Sequence, residues 1–403
     1  MSKRSVYKRK IIKHFYFGRS YSSTELSLLL NKSIPFTTGV LGEMVEDGVI
    51  EEIGYADSRG GRRPQMYGLK ADLLNIVAVS IDQINTNIAM FDLHNEMVHP
   101  KKNIEFKLSN TDYNDLVQIT NHIENYIENT GIDPDKILGI GISMPGFVDV
   151  NKGVNHTFLK SAHGSIVDYI EDRIGLPVLI DNDSSLIALS ELRFGAARDK
   201  MNVMVLNLSW GVGLGMILKG EIFRGSNGYA GEFSHIPLFD NNKLCQCGKS
   251  GCLETETSLL VLVQKAIEQI EEGKLSLIKD ISESDLETAV NKIMNAAKRG
   301  DRVAINLLSD IGYTIGRGVA ILIHLLNPEM IILSGRGAEA GRLWVAPIQQ
   351  ALNEHCIPKI SEGIKLEISN LGYEAGLIGA AALVMEKYDS LSKFEKRIKV
   401  VQK

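Results

Sequence analysis

GYAGEFSHIPLFDNNKLCQCGKSGCLE, residues 228–254, is the segment that most narrows the possible architectures of this 403-residue chain. It holds His235 and three of the four cysteines, Cys245, Cys247 and Cys252. Cysteines two residues apart pair poorly with each other, whereas one metal ion can take both sulfurs from a tight turn. The spacing predicts a Cys3His zinc site, with buried metal-free cysteines as the alternative. Four protein ligands leave no place for a reactive water, so the metal would be structural.

Two carboxylates, Glu232 and Glu254, flank the predicted metal site. Carboxylates held in fixed positions are good acceptors for sugar hydroxyls. The segment resembles the pattern Gly-Glu-x-x-His, Cys-x-Cys-Gly-x-x-Gly-Cys-x-Glu of the ROK family, named for repressors, open reading frames and kinases. The matching residues are Glu232, His235, Cys245, Cys247, Gly248, Gly251, Cys252 and Glu254. The resemblance extends over nearly the whole chain and implies an α/β, actin-like or sugar-kinase fold of two lobes with a cleft between them.

Composition divides the chain into a basic head and an acidic body. The chain is 44% hydrophobic and carries a net charge of -5, but residues 1–70 contain 12 basic and 7 acidic residues. Such asymmetry predicts a small nucleic-acid-facing module ahead of an acidic body; a solvated basic tail is the alternative. Because the sequence shows neither an apolar run of about 20 residues nor a secretion signal, a cytoplasmic protein is expected.

The basic head has the pattern of a winged helix-turn-helix over residues 1–70. Helical spacing over residues 6–17, a capping box at residues 22–25 and Pro35 near the start of a third helix predict three helices. Residues 49–54 and 65–69 are expected to be strands, with a glycine- and arginine-rich wing between them. The expected DNA contacts are Pro35, Phe36, Thr37 and Thr38 in the recognition helix and Arg59, Arg62 and Arg63 in the wing.

The wing also resembles that of the ROK repressors, whose heads carry a Gly-Gly-Arg-Arg-Pro segment, here residues 60–64. The chain thereby resembles the branch that includes the N-acetylglucosamine and xylose repressors. It departs from that branch at Thr38-Gly39, where recognition helices of the family often carry Ser-Arg. A three-helix module that binds another protein is the alternative interpretation of the head.

Beyond residue 70, strands and helices alternate, which predicts α/β layers over a mixed sheet. Strands are expected at residues 76–81, 87–91, 137–143 and 178–180, with a helix at 113–129. A second block of the same kind has strands at residues 203–208, 216–219 and 330–333. The predicted domains are residues 1–70 and a sugar-binding domain of residues 71–403, with lobes of about 71–195 plus the C-terminal helix and about 196–374.

The loops that would bind ATP differ from those of the family's kinases. Their Asp-x-Gly-Gly-Thr turn corresponds to residues 82–86, where Ile84 and Asn85 replace both glycines. Their Gly-Thr-Gly-Ile-Gly loop corresponds to residues 209–213, with Ser209 and Trp210 at the first two positions. Phosphoryl transfer requires close approach of backbone amides to phosphate, so these changes predict a protein that is not an enzyme.

The sugar side of the family's site is retained. Asp183 matches the general base of the kinases, and it follows Asn182 where a predicted strand meets a helix. A plain helix cap is the alternative role for this pair, and a purely structural role remains open for His235. The residues expected to contact sugar are Gly146, Asn182, Asp183, Glu232, His235 and Glu254.

These patterns together indicate a transcriptional regulator of the repressor kind that releases operator DNA when a sugar or sugar phosphate binds. The expected partners are double-stranded DNA, that effector, and further copies of the chain in a homodimer or dimer of dimers. An active sugar kinase with a regulatory head and an adaptor that binds another protein are the competing interpretations.

Overall fold

The computed structural model describes residues 3–57, 63–109, 112, 114–160 and 164–394. The chain forms two compact units: Met1–Asp183 together with Leu377–Lys403, and Ser184–Gly376. Within the described parts, no helix is both long enough and apolar enough to cross a bilayer.

Unit 1 begins with a winged helix. Its elements are α1 (Lys3–Gly18), β1 (Ser20–Ser22), α2 (Ser23–Leu29), α3 (Ile34–Glu46), β2 (Ile50–Tyr55) and β3 (Gln65–Leu69). The three strands pair antiparallel in the order β1-β3-β2. Ser22 and Glu25 form the predicted capping box, and Pro35 is the second residue of α3. The three predicted helices and two longer strands are therefore confirmed, whereas the short strand β1 was not predicted.

The rest of unit 1 is a mixed sheet covered by helices. Its elements are β4 (Asn75–Ile81), β5 (Asn85–Phe91), β6 (Met97–Glu105), α4 (Asn114–Thr130), β7 (Ile137–Met144), β8 (Val148–Asp149), β9 (Val154–Asn155), α5 (Ile166–Ile174) and β10 (Val178–Asn182). The sheet order is β10-β7-β4-β5-β6, and the first three strands are parallel. Alternate residues of β7, Ile140 and Ile142, pack in one core with α4 and α5.

Unit 2 repeats this arrangement. Its elements are α6 (Asp183–Phe194), β11 (Val203–Leu208), β12 (Val212–Leu218), β13 (Glu221–Phe223), α7 (Glu254–Thr257), α8 (Leu259–Glu271), α9 (Leu286–Lys298), α10 (Arg302–Leu326), β14 (Met330–Ser334), α11 (Arg342–His355), α12 (Pro358–Ser361) and β15 (Lys365–Ile368). The sheet order β15-β14-β11-β12-β13 again places three parallel strands beside an antiparallel hairpin. The predicted pair of related α/β blocks is confirmed.

The last helix, α13 (Ala375–Tyr388), begins in unit 2 and returns to unit 1. Gly141 of β7 lies against it, because a Cβ there would come 1.9 Å from the Ala380 carbonyl oxygen. The C-terminal end of α13 contacts α1: the Arg9 guanidinium donates to the Tyr388 carbonyl and, at 2.8 Å, to the Leu391 carbonyl. A guanidinium at a helix C-terminus stabilises the exposed carbonyls and the helix dipole.

Most of the basic side chains in the first 19 residues are paired within unit 1. The ion pairs are Arg4 with Glu43, Lys8 with Glu43 and Asp47, Lys13 with Glu386 and Asp389, and Arg19 with Glu96. Arg9 is almost fully buried against α13. The positive charge of the head therefore does not by itself mark a DNA-facing surface, contrary to the simplest interpretation of its composition.

A buried carboxyl group, Glu191 of α6, joins the ends of two strands in unit 2. It accepts hydrogen bonds from the Ser369 and Ser334 hydroxyls and, at 3.0 Å, from the Ala196 backbone N–H. Burial raises the pKa of Glu191, and the hydrogen bonds oppose that shift only in part. The folded protein thus favours the protonated carboxyl more than the unfolded chain does.

This shift predicts a pH-dependent stability. Since the pKa of Glu191 is raised on folding, its contribution to stability is complete below the pKa of an unfolded glutamate and is lost as pH rises through the folded value. In thermal unfolding, the Tm of the wild type relative to that of Glu191→Gln is expected to rise as the pH is lowered from about 8 to about 5. Glu362→Gln, at an exposed position, is the control. A pH-independent difference would contradict the assignment.

Candidate functional site

The segment after β13 folds into a small knuckle, residues 235–254, that carries the predicted metal ligands. His235 ends a short 3-10 turn, Phe233–His235. Cys245 and Cys247 lie on a tight turn in which the Gly248 N–H donates to the Cys245 carbonyl at 2.9 Å. Single bridges between Pro237 and Cys252 and between Leu244 and Ser250 close the knuckle.

The knuckle brings all four predicted ligands together. The side-chain ligand atoms of His235, Cys245, Cys247 and Cys252 lie within 4.8 Å of one another. His235 Nδ1 is 3.5 Å from Cys245 Sγ, and Cys247 Sγ is 3.6 Å from Cys252 Sγ. Burial raises the pKa of the Cys245 thiol to about 12, so a metal ion that binds there must displace a firmly held proton. This group could hold a metal ion.

Glu232, His235 and Glu254 also lie together in unit 2. His235 Nε2 is 3.6 Å from Glu232 Oε2, so the two ring nitrogens point to a carboxylate and to the thiol of Cys245. Glu254 Oε2 accepts from the Ser234 hydroxyl at 3.3 Å and the Val212 N–H at 3.4 Å. Burial raises the pKa of Glu232, the nearby Glu254 carboxylate adds to that rise, and His235 opposes it. Two carboxylate acceptors therefore lie beside the predicted metal ligands.

The three remaining predicted sugar residues lie together in unit 1, at the carboxyl ends of β7 and β10. The Asn182 side chain donates to the Gly146 carbonyl at 3.2 Å, and Asp183 is the first residue of α6. Gly146 has φ +90°, and a Cβ there would come 2.7 Å from Thr157. Asn182 and Asp183 are both half-buried.

Two residues that sequence reasoning missed shape the turn around Gly146. The Asn155 side chain donates to the Pro145 carbonyl at 2.8 Å, and the Thr157 hydroxyl accepts from the Phe147 N–H at 3.1 Å. These contacts join β9 and the segment after it to the end of β7. No local motif marks Asn155 or Thr157, because their importance arises from pairing with a segment about ten residues away.

In the two loops that correspond to the phosphate loops of the kinases, backbone N–H groups donate hydrogen bonds to acceptors within the chain. The Asp82 carboxylate accepts from the N–H groups of Ile84 and Asn85, each at 2.8 Å. In the second loop, the Ser209 N–H donates to the Gly211 carbonyl at 2.9 Å, and the Val212 N–H donates to Glu254. Four backbone N–H groups of these two loops therefore already have acceptors.

The predicted DNA-contacting residues differ in their exposure. Pro35 and Thr38 at the start of α3 and Arg63 in the wing are exposed, and Phe36 is half-buried with its ring centroid 5.2 Å from that of Tyr7. Thr37 is only 1% exposed, and its hydroxyl donates to the Ser33 carbonyl. A direct base contact by Thr37 does not fit this position, because the side chain faces the core. Arg59 and Arg62 lie outside the described residues.

Comparisons with known proteins identify relatives over most of the chain. Residues 76–387 match the ROK family. The xylose repressor of Caldicellulosiruptor bescii is 27% identical over 387 residues, which cover 95% of this chain and 96% of the repressor. A glucokinase of Halalkalibacterium halodurans is 34% identical over 261 residues, 64% of this chain and 79% of the kinase.

A solved structure matches the fold along the whole chain. It is a ROK family transcriptional regulator described as a homologue of the Escherichia coli MLC protein, with 25% identity and a TM-score of 0.78. The match covers 98% of this chain and 100% of that regulator. The resemblance that the sequence motifs indicated is thereby confirmed, and it includes the basic head.

Proposed function

This chain belongs to the ROK family, and we propose that it is a DNA-binding regulator of transcription, of the repressor kind, that responds to a sugar or a sugar derivative. The observation that carries the proposal is the extent of the likeness. The xylose repressor and the solved regulator match 95% and 98% of the chain, whereas the glucokinase matches 64%. A winged helix in the first 70 residues supplies a structure suited to DNA.

In the proposed complex, α3 enters the major groove and the wing contacts the backbone or the minor groove. Pro35 and Thr38 are exposed at the N-terminal end of α3, where recognition helices meet base edges. Phe36 adds an apolar surface beside them, and Arg59, Arg62 and Arg63 supply positive charge from the wing. We leave Thr37 out of the base-contacting set because it packs in the core.

Arg63→Ala tests the role of the wing. If Arg63 contacts a phosphate, its removal is expected to weaken DNA binding several-fold on every sequence and to reduce the slope of log affinity against log salt by about 1. Fluorescence anisotropy with labelled upstream DNA at several salt concentrations measures both quantities. Lys274→Ala, at an exposed site in unit 2, is the matched control. An unchanged salt slope in Arg63→Ala would exclude Arg63 from the DNA contacts.

We propose that the four-ligand group of the knuckle binds zinc as a structural metal. With Zn–S distances of about 2.3 Å, a tetrahedral site places its sulfurs about 3.8 Å apart. The 3.6 Å between the sulfurs of Cys247 and Cys252 and the 3.5 Å between Cys245 Sγ and His235 Nδ1 are close to such spacings. The bound ion would cross-link the knuckle. In this way the knuckle residues hold Glu232 and Glu254 in place.

The proposed sugar contacts come from one residue group in unit 1 and one in unit 2. Asn182 and Asp183 offer an amide and a carboxylate beside the Gly146 turn. Glu232 and Glu254 offer carboxylate oxygens, and His235 offers its Nε2 face while Nδ1 points to the cysteines. Sugar hydroxyls suit each group by itself, because carboxylates accept and amides both donate and accept hydrogen bonds.

The release of DNA on sugar binding follows from thermodynamic linkage. A sugar that binds more tightly to the conformation with low DNA affinity must weaken DNA binding by the same free energy. A coupling of about 1–3 kcal/mol would change operator affinity by roughly 5- to 150-fold. Binding to symmetric operators requires a homodimer or a dimer of dimers. Binding to chromosomal DNA would place the protein in the cytoplasm. Thermal-shift screening against a sugar panel, followed by DNA binding with the best ligand, tests this proposal.

An active sugar kinase is the second candidate function, and the 34% identity to a glucokinase is the observation that favours it. The internally bonded amides at Ile84, Asn85, Ser209 and Val212 support a protein without kinase activity, since phosphate needs such donors. We expect no turnover in a coupled assay with Mg-ATP and hexoses, N-acetylated hexosamines or xylose. Phosphorylation at about 1 s⁻¹ or faster, the ordinary range for enzymes, would overturn this part of the proposal.

A further inference from the structure

Three loops of unit 2 meet where its parallel strands end. Trp210 follows β11, Arg336 follows β14, and Tyr373 follows β15. In open α/β sheets, ligands bind outside the carboxyl ends of the strands, where the loops diverge. This edge is therefore the place in unit 2 where a planar ligand such as a nucleotide would be expected.

The side chain of Arg336 occupies this position. Its Cζ lies 4.8 Å from the ring centroid of Trp210 and 4.8 Å from that of Tyr373. Its Nε donates to Glu287 Oε2 of α9 at 3.0 Å, and the Tyr373 hydroxyl donates to the other oxygen of the same carboxylate. A planar cation is thus stacked against two aromatic rings and paired with one carboxylate, which is a favourable set of partners for a guanidinium.

Burial indicates that Trp210 contributes its ring rather than its N–H group. Trp210 is 2% exposed and Arg336 is 8% exposed. The Trp210 Nε1 is buried and has no hydrogen-bond acceptor among the described residues. A buried donor without an acceptor is unfavourable, so the position is better explained by the stacking surface that tryptophan gives to the cation.

The backbone around Arg336 is also packed closely against β11. Gly335 has φ +74°, and a Cβ there would come 2.3 Å from Asn207 Oδ1. A Cβ on Gly337 would come 2.6 Å from that of Leu208. Trp344 of α11 donates from Nε1 to the Gly337 carbonyl at 2.6 Å. The loop is therefore fixed from both sides, and its position leaves Arg336 in the stack.

We propose that this edge of unit 2 is a guanidinium-binding slot that the chain fills with its own Arg336. The slot is formed by the faces of Trp210 and Tyr373 and by the Glu287 carboxylate, and while Arg336 occupies it the edge is closed to nucleotides. The closure to nucleotides rests on the proposed function, which also expects no use of ATP, whereas the occupancy of the slot by Arg336 is a separate claim that chemical rescue tests by itself.

Chemical rescue tests the slot. Arg336→Ala is expected to lower Tm by roughly 3–10 °C, because a buried ionic and stacking contact is lost. Ethylguanidinium at millimolar concentration should then raise the Tm of the variant by about 2 °C or more, whereas ethylammonium, which is not planar, should not. Arg317→Ala is the matched control, since among the described residues its guanidinium stacks on a single ring, that of Phe239. Equal effects of the two cations on Arg336→Ala would overturn the proposal.

A second measurement uses the unmodified protein and does not depend on the folding of any variant. Isothermal titration of the wild type with Mg-ADP is expected to give no binding, because Arg336 closes the edge. Binding with a Kd below about 1 mM, which corresponds to about -4 kcal/mol, would show that the site is open and would overturn the proposal.

Discussion

Cys252→Ser is expected to prevent binding of the zinc ion that we propose for the knuckle and to abolish the sugar response of DNA binding. Cys252 is fully buried, and its backbone bridges to Pro237 at the base of the knuckle. Structural zinc contributes about 10–16 kcal/mol of binding free energy in small zinc domains, so loss of one thiolate ligand removes most of the cross-link. Glu254 is two residues away and would lose its fixed position.

Metal content, Tm and sugar-dependent DNA binding measure this prediction. We expect less than one tenth of the wild-type metal content, a Tm lower by roughly 5–10 °C, and DNA binding that no longer changes with sugar. Cys356→Ser is the matched control, because Cys356 is a buried cysteine outside the knuckle. A metal-free Cys252→Ser protein that still releases DNA in response to sugar would contradict the role given to the knuckle.

Asp183→Asn is expected to raise the sugar concentration needed for DNA release by roughly 10- to 100-fold. A hydrogen bond from a neutral group to a charged group contributes about 1.5–3 kcal/mol, and the amide keeps the shape of the side chain while it loses one acceptor and the charge. Because Asp183 is not among the residues proposed to contact DNA, affinity for DNA without sugar should stay within about two-fold.

A DNA-release titration with the best sugar from the thermal-shift screen measures this change. Asp172→Asn is the control, since Asp172 is an exposed carboxylate on α5 of the same unit. A release midpoint equal to that of the wild type would remove Asp183 from the sugar site and leave it as a helix-initiating residue only.

The motifs that the sequence revealed are those made of residues close together in the chain. The predicted knuckle ligands lie within 18 residues, and one tight turn together with two single bridges brings them together. The capping box of Ser22 and Glu25 is similarly local and was predicted with its residues. Seven of the ten strands in the two five-stranded sheets were predicted, because buried strands are nearly continuous apolar runs. The strands β6, β13 and β15 were not predicted; each lies at or near a sheet edge and is only partly buried.

The burial of Thr37 in the recognition helix follows from the sequence itself. Val40, Leu41 and Met44 form the buried stripe of α3, and Thr37 stands one turn before them on the same face. Helical periodicity therefore predicts that Thr37 faces the core, where its hydroxyl bonds to the Ser33 carbonyl. A position near the start of the helix is the only feature that favours a DNA contact by Thr37, and its buried side chain does not fit that role.

Other features could not be derived from the sequence because they depend on contacts distant in the chain. Arg336 stacks on Trp210 and Tyr373 only because three separate loops end at one sheet edge. The basic residues of α1 form a pattern typical of a DNA-binding surface. Arg9 and Lys13 nevertheless donate to backbone carbonyls at the end of α13, more than 370 residues away in the chain. Local charge patterns do not reveal such partners.

The most direct test of the central claim is the affinity of the full-length protein for its own upstream DNA, measured by fluorescence anisotropy with and without a saturating sugar that raises Tm. We predict salt-dependent binding to that DNA and a decrease in affinity of about 5- to 150-fold when the sugar is present. DNA affinity that is the same with and without the bound sugar, or no binding to any DNA at low salt, would contradict it.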